Sequence, residues 1–385
     1  MSTSSHPITQ ISIGIKRHYS LDWIRVFVVL LLIPFHTAVT FSHIGKGYVY
    51  TPEPIDSYFY IFISDFFNLW IMRLLFFVSG ISAYMALKKR SIAAFSLERF
   101  KRLIIPVLFL VLTIGPLAGY VLAVSHFGFS GTFISYYPHF FLDVKRYLFW
   151  GQLWYCVYLY LLSMIALPLF SYLLKNNQVM VNINNVLMQK NNILFPLFII
   201  ALIELLLRPS YPGYQSFIGD WANVAVYFCF YTFGFIMGQS KDLIDRITGN
   251  MRMFLILALS SAILYLILKR AAFTEANQIQ LMILSFLWGA AAYTWVMTII
   301  GFTRKYLNKN NRLLKYLSMT SFSLYLFHYL ILSLLNFFLL KTQLNPYLIW
   351  LITCVGTYLI FILLFELVLK RVAPLRYICG IRRSK

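Results

Sequence analysis

Apolar residues gather into ten long blocks, near positions 22–44, 62–87, 103–124, 148–174, 193–208, 222–239, 252–270, 279–302, 319–340 and 346–369. Roughly 20 residues at about 1.5 Å each cross the hydrocarbon of a bilayer, so the pattern predicts ten membrane-spanning helices. Polar stretches mark the breaks: "KKRSIAAFSLERFKR" after the second block, "KNNQVMVNINNVLMQKNN" after the fourth, "RPSYPGYQSFIGD" after the fifth and "RKYLNKNNRLLK" after the eighth. No soluble domain, long linker or internal repeat interrupts the series.

Composition agrees with this pattern and charge orients it. Of 385 residues, 60% are hydrophobic and 12% charged, and the mean hydropathy is +0.74, values that exclude a soluble globular domain. The net charge of +21 lies mostly in the breaks, where it serves headgroup contact and topology rather than nucleic-acid binding. With the N-terminus inside, 24 of the 33 Lys and Arg fall in cytoplasmic segments and 7 in the opposite loops, with Arg25 and Arg73 inside blocks. That bias predicts cytoplasmic termini and an even number of spans. The expected fold is an all-α polytopic bundle: one transmembrane domain over 21–370, a basic cytoplasmic segment over 1–20 and a basic tail over 371–385. Segment 1–20 lacks a short apolar core with a small-residue cleavage site, so the first span is expected to be retained. Cys156, Cys229, Cys354 and Cys379 stand singly, with no spacing that suggests a disulfide framework or a metal site.

Ionisable residues inside the blocks are the candidate chemistry. The first span, "LDWIRVFVVLLLIPFHTAVTF", carries Asp22 and Arg25 near one end and His36 deep inside. Arg25 and His36 are eleven positions apart, which at 3.6 residues per turn sets them on one face about 16 Å apart along the axis. Asp22 falls roughly on the same stripe, and Pro34 is expected to loosen the helical ladder beside the histidine. A structural reading pairs Asp22 with Arg25 and leaves His36 as a satisfied core histidine. The functional reading lines a channel for an elongated anionic ligand, with a titratable imidazole at its far end.

Arg73 lies near the centre of the second span, where its burial requires a polar interior or an anion. Asp65, eight residues earlier on nearly the same face, is its expected structural partner. In "SLERFKRLIIP", Arg99 and Arg102 stand three apart at the mouth of the third span with Ser96 as expected N-cap. A helix N-terminus with two arginines suits a phosphate, although any inner loop gathers basic residues.

The chain resembles the integral-membrane acyltransferase family 3, and within it the branch of glucan-modifying succinyl and acetyl transferases. The resemblance is carried by "LDWIRVFVVLLLIPFH", by "LLFFVSG" in the second span, by "RFKRLIIP" and by "SFSLYLFHYLIL", and covers about residues 20 to 370. It implies transfer of an acetyl or succinyl group from cytoplasmic acyl-CoA to a hydroxyl of a carbohydrate acceptor, in a bacterial inner membrane. His36 then matches the family's essential histidine, as base or acyl carrier, Arg25 its signature arginine, and Arg99 and Arg102 its Arg-x-x-Arg pair. Arg73 is grouped with these as a donor-binding candidate, and no metal is implied.

Two positions depart from the branch. Its fourth span often begins Gly-His-Leu-Trp where this chain has "GQLWY", and Arg73 follows Met72 where Met-Pro is frequent. Gln152, Trp154, His139 and His328 are the acceptor-binding candidates. For His328 the structural alternative is a core histidine, and for His139, in an aromatic outer loop with His126, an interfacial belt. Glu204 with Arg208, and Glu366 with Lys370, read as structural pairs four apart. A transporter or flippase of a glycan would also use ten spans and a polar stripe, but would be expected to show inverted repeats and broken spans in corresponding positions.

Overall fold

In hydrocarbon every backbone N–H and C=O must be bonded within the chain, so the apolar blocks fold as helices. The computed structural model describes residues 19–42, 55, 57–143, 150–190, 192–213, 217–271 and 277–381. Among the described residues there is no strand. The segment 1–20, apart from its last two residues, and the last four residues of the tail lie outside them.

The helices are α1 (Tyr19–Phe41), α2 (Tyr58–Leu87), α3 (Ile92–Arg99), α4 (Ile105–Thr113), α5 (Gly115–His126), α6 (Phe133–Leu142), α7 (Trp154–Lys175) and α8 (Asn177–Met188). They continue with α9 (Phe195–Leu207), α10 (Trp221–Gln239), α11 (Lys241–Gly249), α12 (Met251–Ala271), α13 (Gln278–Tyr306), α14 (Arg312–Leu339), α15 (Pro346–Leu364) and α16 (Ala373–Ile378). Eight are long and apolar enough to cross a membrane: α1, α2, α7, α10, α12, α13, α14 and α15 with its terminal turns. Counting each bent pair as one span raises the number to ten.

Two of the ten expected spans differ from straight helices. The third is broken: a π-helical turn at Phe100–Ile104 joins α3 to α4, and α4 meets α5 at a bend of 52°. Prolines cause the breaks, because Pro106 and Pro116 each remove a donor from the helical ladder and crowd the preceding turn. The fifth block yields only the 13 residues of α9, about 20 Å and short of a full crossing.

Both ends of the described chain sit at one end of the bundle. The Ser20 amide donates to Asn308 Oδ1 at 3.2 Å, and the Tyr316 hydroxyl donates to Glu366 Oε1 at 3.1 Å. The beginnings of α1 and α14 therefore lie beside the end of α15, as an even number of crossings requires. Lys88, Arg304, Lys309 and Lys370 gather here, and we call it the basic end.

The closest helix pair is α2 with α10, and glycine makes it possible. A Cβ on Gly80 would overlap the carbonyl oxygen of Tyr231 and lie 2.8 Å from the Phe235 nitrogen. One on Gly234 would overlap the carbonyl oxygen of Phe77. Small residues let membrane helices meet backbone to backbone, which explains the glycine in "LLFFVSG". Gly80→Ala is therefore expected to force α2 and α10 apart and to destabilise the bundle by about 1–3 kcal/mol or more. A lowered unfolding temperature of the detergent-solubilised variant checks this, and an unchanged one would show that the two helices can separate freely.

Candidate active site

Pro34 shapes the first helix around His36. It has no N–H to offer the carbonyl of Leu30, one turn back, and the Tyr358 hydroxyl donates to that oxygen instead, at 2.7 Å. Trp350 Nε1 donates to the Pro34 carbonyl at 3.2 Å. Helix α15 thus completes the bonding of α1 at the proline, and the expected loosening is absorbed by side chains from a distant part of the sequence.

His36 is buried on the side of α1 that meets α2 and α14. Its ring lies 5.4 Å from that of His328 and 5.2 Å, edge-on, from that of Tyr329, both on α14. It also borders a cavity of about 70 Å³, whose walls include Asn68, Met72 and Arg73 from α2, with Gln152, Trp154, Tyr227 and Trp288. Gln152 is anchored there: its Nε2 donates to the Leu326 carbonyl at 2.8 Å, and its own carbonyl accepts from the Tyr325 hydroxyl. Gly151, at φ +42°, makes the sharp turn that brings Gln152 against α14.

The same cavity meets a buried ionic network. Arg73 and Glu204 are almost wholly buried, with Arg73 Nη2 3.6 Å from Glu204 Oε1. Arg208 holds both Glu204 oxygens, at 2.8 and 3.1 Å, and donates to Asn223 Oδ1 at 2.8 Å. Asn223 Nδ2 donates to Asp220 Oδ1 at 2.7 Å, and the Tyr158 hydroxyl donates to Asp220 Oδ2 at 3.0 Å. Two guanidiniums face two carboxylates, so the charge is balanced. Trp288 lies under Arg73, ring centroid 4.9 Å from its Cζ, a cation–π contact that holds the guanidinium flat. Arg73 Nε and Nη2 have no hydrogen-bond acceptor among the described residues.

The partner expected for Arg73 is thus replaced. Asp65 binds Lys269 at 2.6 Å, and Arg73 finds Glu204 on α9. Two charges stranded in different apolar blocks must meet somewhere, and that was the available signal for the pair. Arg73 belongs with Glu204 in the network around the cavity, while Arg25 is near the basic end.

At that end Arg25 Nη1 is paired with Asp22 at 3.0 Å, as the structural reading expected. Its Nη2 donates to Ser82 Oγ of α2 at 2.5 Å. One turn farther along α2, Ser79 shares a 3.0 Å hydrogen bond with the Tyr155 hydroxyl. The Tyr155 ring lies 6.0 Å from that of Tyr325, which bonds Gln152. Between Arg25 and His36, then, runs a seam of hydroxyls. Tyr155 and Tyr325 occupy the space that the sequence reading assigned to a ligand. A larger cavity, about 170 Å³, opens separately at the basic end between Ser20, Lys88, Gln239 and Arg304.

Arg99 and Arg102 part company. Arg99 lies over Phe95, 5.0 Å from the ring, whereas Arg102 is largely exposed and paired with Glu98 at 3.1 Å. The expected helix N-terminus beside them is not there. Ser91, not Ser96, caps the helix, accepting from Ala94 N at 3.3 Å. Ser96 donates to the Ile92 carbonyl from inside α3, and the Phe100 amide is bonded to Leu97 and Ser96. With the helix capped five residues earlier, no run of open amides faces Arg99.

The acceptor candidates divide as well. Gln152 and Trp154 line the cavity. His328 is fully buried behind His36, and His139 stands exposed on α6, its Nδ1 2.9 Å from the Ser135 carbonyl. Among the described residues no group of three or more His, Cys, Asp or Glu comes together around a metal position.

An all-helical, multi-pass bundle with an imidazole, balanced ion pairs and aromatic rings around a cavity is a membrane protein with a polar centre between its helices. A family model described as an acyltransferase domain, Acyl_transf_3, matches residues 18–366. The chain belongs to this family and is a membrane acyltransferase, acting on an acyl donor and an acceptor. Neither a curated protein nor a solved structure matches it.

Proposed function

We propose that the protein moves an acetyl or succinyl group from acyl-CoA, presented at the basic end on the cytoplasmic side of a bacterial inner membrane, to a hydroxyl of a glycan. The observation that carries this reading is the placement of Arg25 and His36 on α1: both turn toward α2, about 16 Å apart along the helix, one beside Ser82 and the other in the cavity wall. That separation matches the reach of a thioester arm from a phosphate-bearing head. Arg25 and Arg99 hold the head, and the seam of Ser82, Ser79, Tyr155 and Tyr325 has to part for the arm to reach His36.

In the transfer, His36 takes the proton of the acceptor hydroxyl as its oxygen bonds to the acyl carbon. The thioester C–S bond breaks, and the CoA thiolate recovers that proton from His36. In the alternative order His36 itself carries the acyl group between donor and acceptor. Trp154, Tyr227 and Trp288 offer ring faces, and Gln152 and Arg73 offer polar contacts to sugar hydroxyls. Because Arg73 and Arg208 are already balanced by Glu204 and Asp220, an uncharged acceptor ring suits the cavity best.

Purified protein in liposomes with labelled acetyl-CoA or succinyl-CoA and a neutral oligosaccharide tests the reading. Thiol release together with label on the sugar is expected. Movement of labelled sugar across the bilayer with no thioester consumed would instead make the protein a transporter. Arg25→Ala is expected to raise the KM for acyl-CoA roughly tenfold or more, the loss of one charge-assisted contact, with kcat little changed. An unchanged KM would remove Arg25 from the donor site.

A further inference from the structure

The proposed transfer needs one nitrogen of His36 to carry a lone pair toward the cavity, and which nitrogen of an imidazole does so is set by the hydrogen bond the other one makes. The structure holds a group able to choose. His328 is fully buried, and its Nδ1 lies 2.8 Å from the Tyr325 carbonyl oxygen and 3.1 Å from that of Leu324. Carbonyl oxygens only accept, so Nδ1 carries the proton and Nε2 of the neutral ring carries the lone pair. Among the described residues no donor reaches Nε2. A buried acceptor left in that state is costly, and the ring it stands beside is that of His36, 5.4 Å away between centroids. When two imidazoles at that separation face nitrogen to nitrogen, about 3 Å remains between them, a hydrogen-bond distance.

The helix that carries His36 is held on both sides of the ring. Toward the basic end the Ser20 amide donates to Asn308 in the segment that leads into α14. Beyond the histidines, Asn336 Nδ2 donates to Thr40 Oγ1 at 3.4 Å, while its Oδ1 accepts from Thr353 at 2.8 Å. Relative movement of α1 and α14 is thereby limited, and with the His328 ring held by its Nδ1 bonds, closing the contact falls to rotation of the His36 ring. His328 does not border the cavity; His36 does.

We propose that His328 is a positioning residue, whose Nε2 accepts an N–H of His36 and so directs the lone pair of the other His36 nitrogen into the cavity. No proton passes to His328. It holds the tautomer, and it supports the positive charge on His36 while the hydroxyl proton resides there. This role rests on the acyltransferase reading for its purpose, but the hydrogen bond itself does not.

The test uses full-length protein with 15N-labelled histidine in lipid nanodiscs. In the wild type, a scalar coupling across the hydrogen bond between one His36 nitrogen and His328 Nε2 is expected, with His36 in a single tautomer. Absence of the coupling overturns the proposal without recourse to any variant. His328→Leu is expected to mix the His36 tautomers and to lower kcat for thiol release from acetyl-CoA roughly 100-fold, with the KM for acetyl-CoA unchanged. His328→Gln, which places an amide oxygen near the position of Nε2, is expected to recover most of that loss. Equal rates for the two variants, or an unmixed tautomer in His328→Leu, would reduce His328 to core packing. If the coupling is present while the wild type releases no thiol, the positioning stands and the transfer reading falls.

Discussion

His36→Ala is expected to lower acyl transfer by roughly two to four orders of magnitude, the range that a positioned general base or a lost covalent carrier commands. No other side chain described on the cavity wall is an available base. Arg73 and Arg208 are cations, Tyr227 and Tyr325 are neutral phenols, and Asp220 is held by Asn223 and Tyr158. The loss should fall on catalysis and not on folding, because α1 is anchored elsewhere: by Tyr358 at Leu30, by Trp350 at Pro34 and by Asn308 at Ser20. The measurement is thiol release from acyl-CoA by wild type and variant at matched amounts of folded protein, judged by equal unfolding temperatures. A variant that unfolds normally and still transfers at the wild-type rate would end the case for His36 as the reacting group.

The second large effect concerns stability. Glu204→Gln is expected to cost about 3–5 kcal/mol, the penalty of leaving buried charge without its counter-ion. Glu204 is fully buried and accepts two hydrogen bonds from Arg208 while lying 3.6 Å from Arg73. Removing its charge leaves two neighbouring guanidiniums in an apolar interior, where they also repel each other. The loss should appear as a lower unfolding temperature and a smaller yield of monodisperse protein. Adding Arg73→Met to Glu204→Gln is expected to return part of the stability, because the deeper cation is then gone. If the double variant is no more stable than the single one, Arg73 is held by Trp288 and by the Asn68 carbonyl, to which its Nη1 donates at 2.5 Å, rather than by Glu204.

How much of this was legible beforehand depends on the range of each interaction. The apolar blocks lie within a few residues of the helices in α1, α2, α7, α10, α12, α13, α14 and α15, since a block of apolar side chains needs only its own backbone to make a helix. In the third and fifth blocks hydropathy located the apolar stretch but not its breaks. It averages over Pro106 and Pro116 without seeing the donors they remove, and α9 is long enough to count as a span only together with α8. The motif residues His36 and Gly80 stood out in the sequence, but the meaning of Gly80 appears only when Tyr231 lies against it. Tyr155 and Tyr325 carried no signal at all, because a tyrosine in an apolar block reads equally as an interfacial ring.

By itself the sequence determined that this protein is a helical membrane bundle, that Arg25 and His36 share one face of the first helix, and that Arg73 needs a counter-charge. Only the tertiary structure decided that the counter-charge is Glu204 and not Asp65, that Arg99 lies over Phe95 while Arg102 turns outward, and that His328 comes to rest against His36. The reason is that hydropathy and helical spacing are properties of neighbours along the chain. The partner of a buried charge or ring is chosen by which helices pack together, and no stretch of residues records that choice.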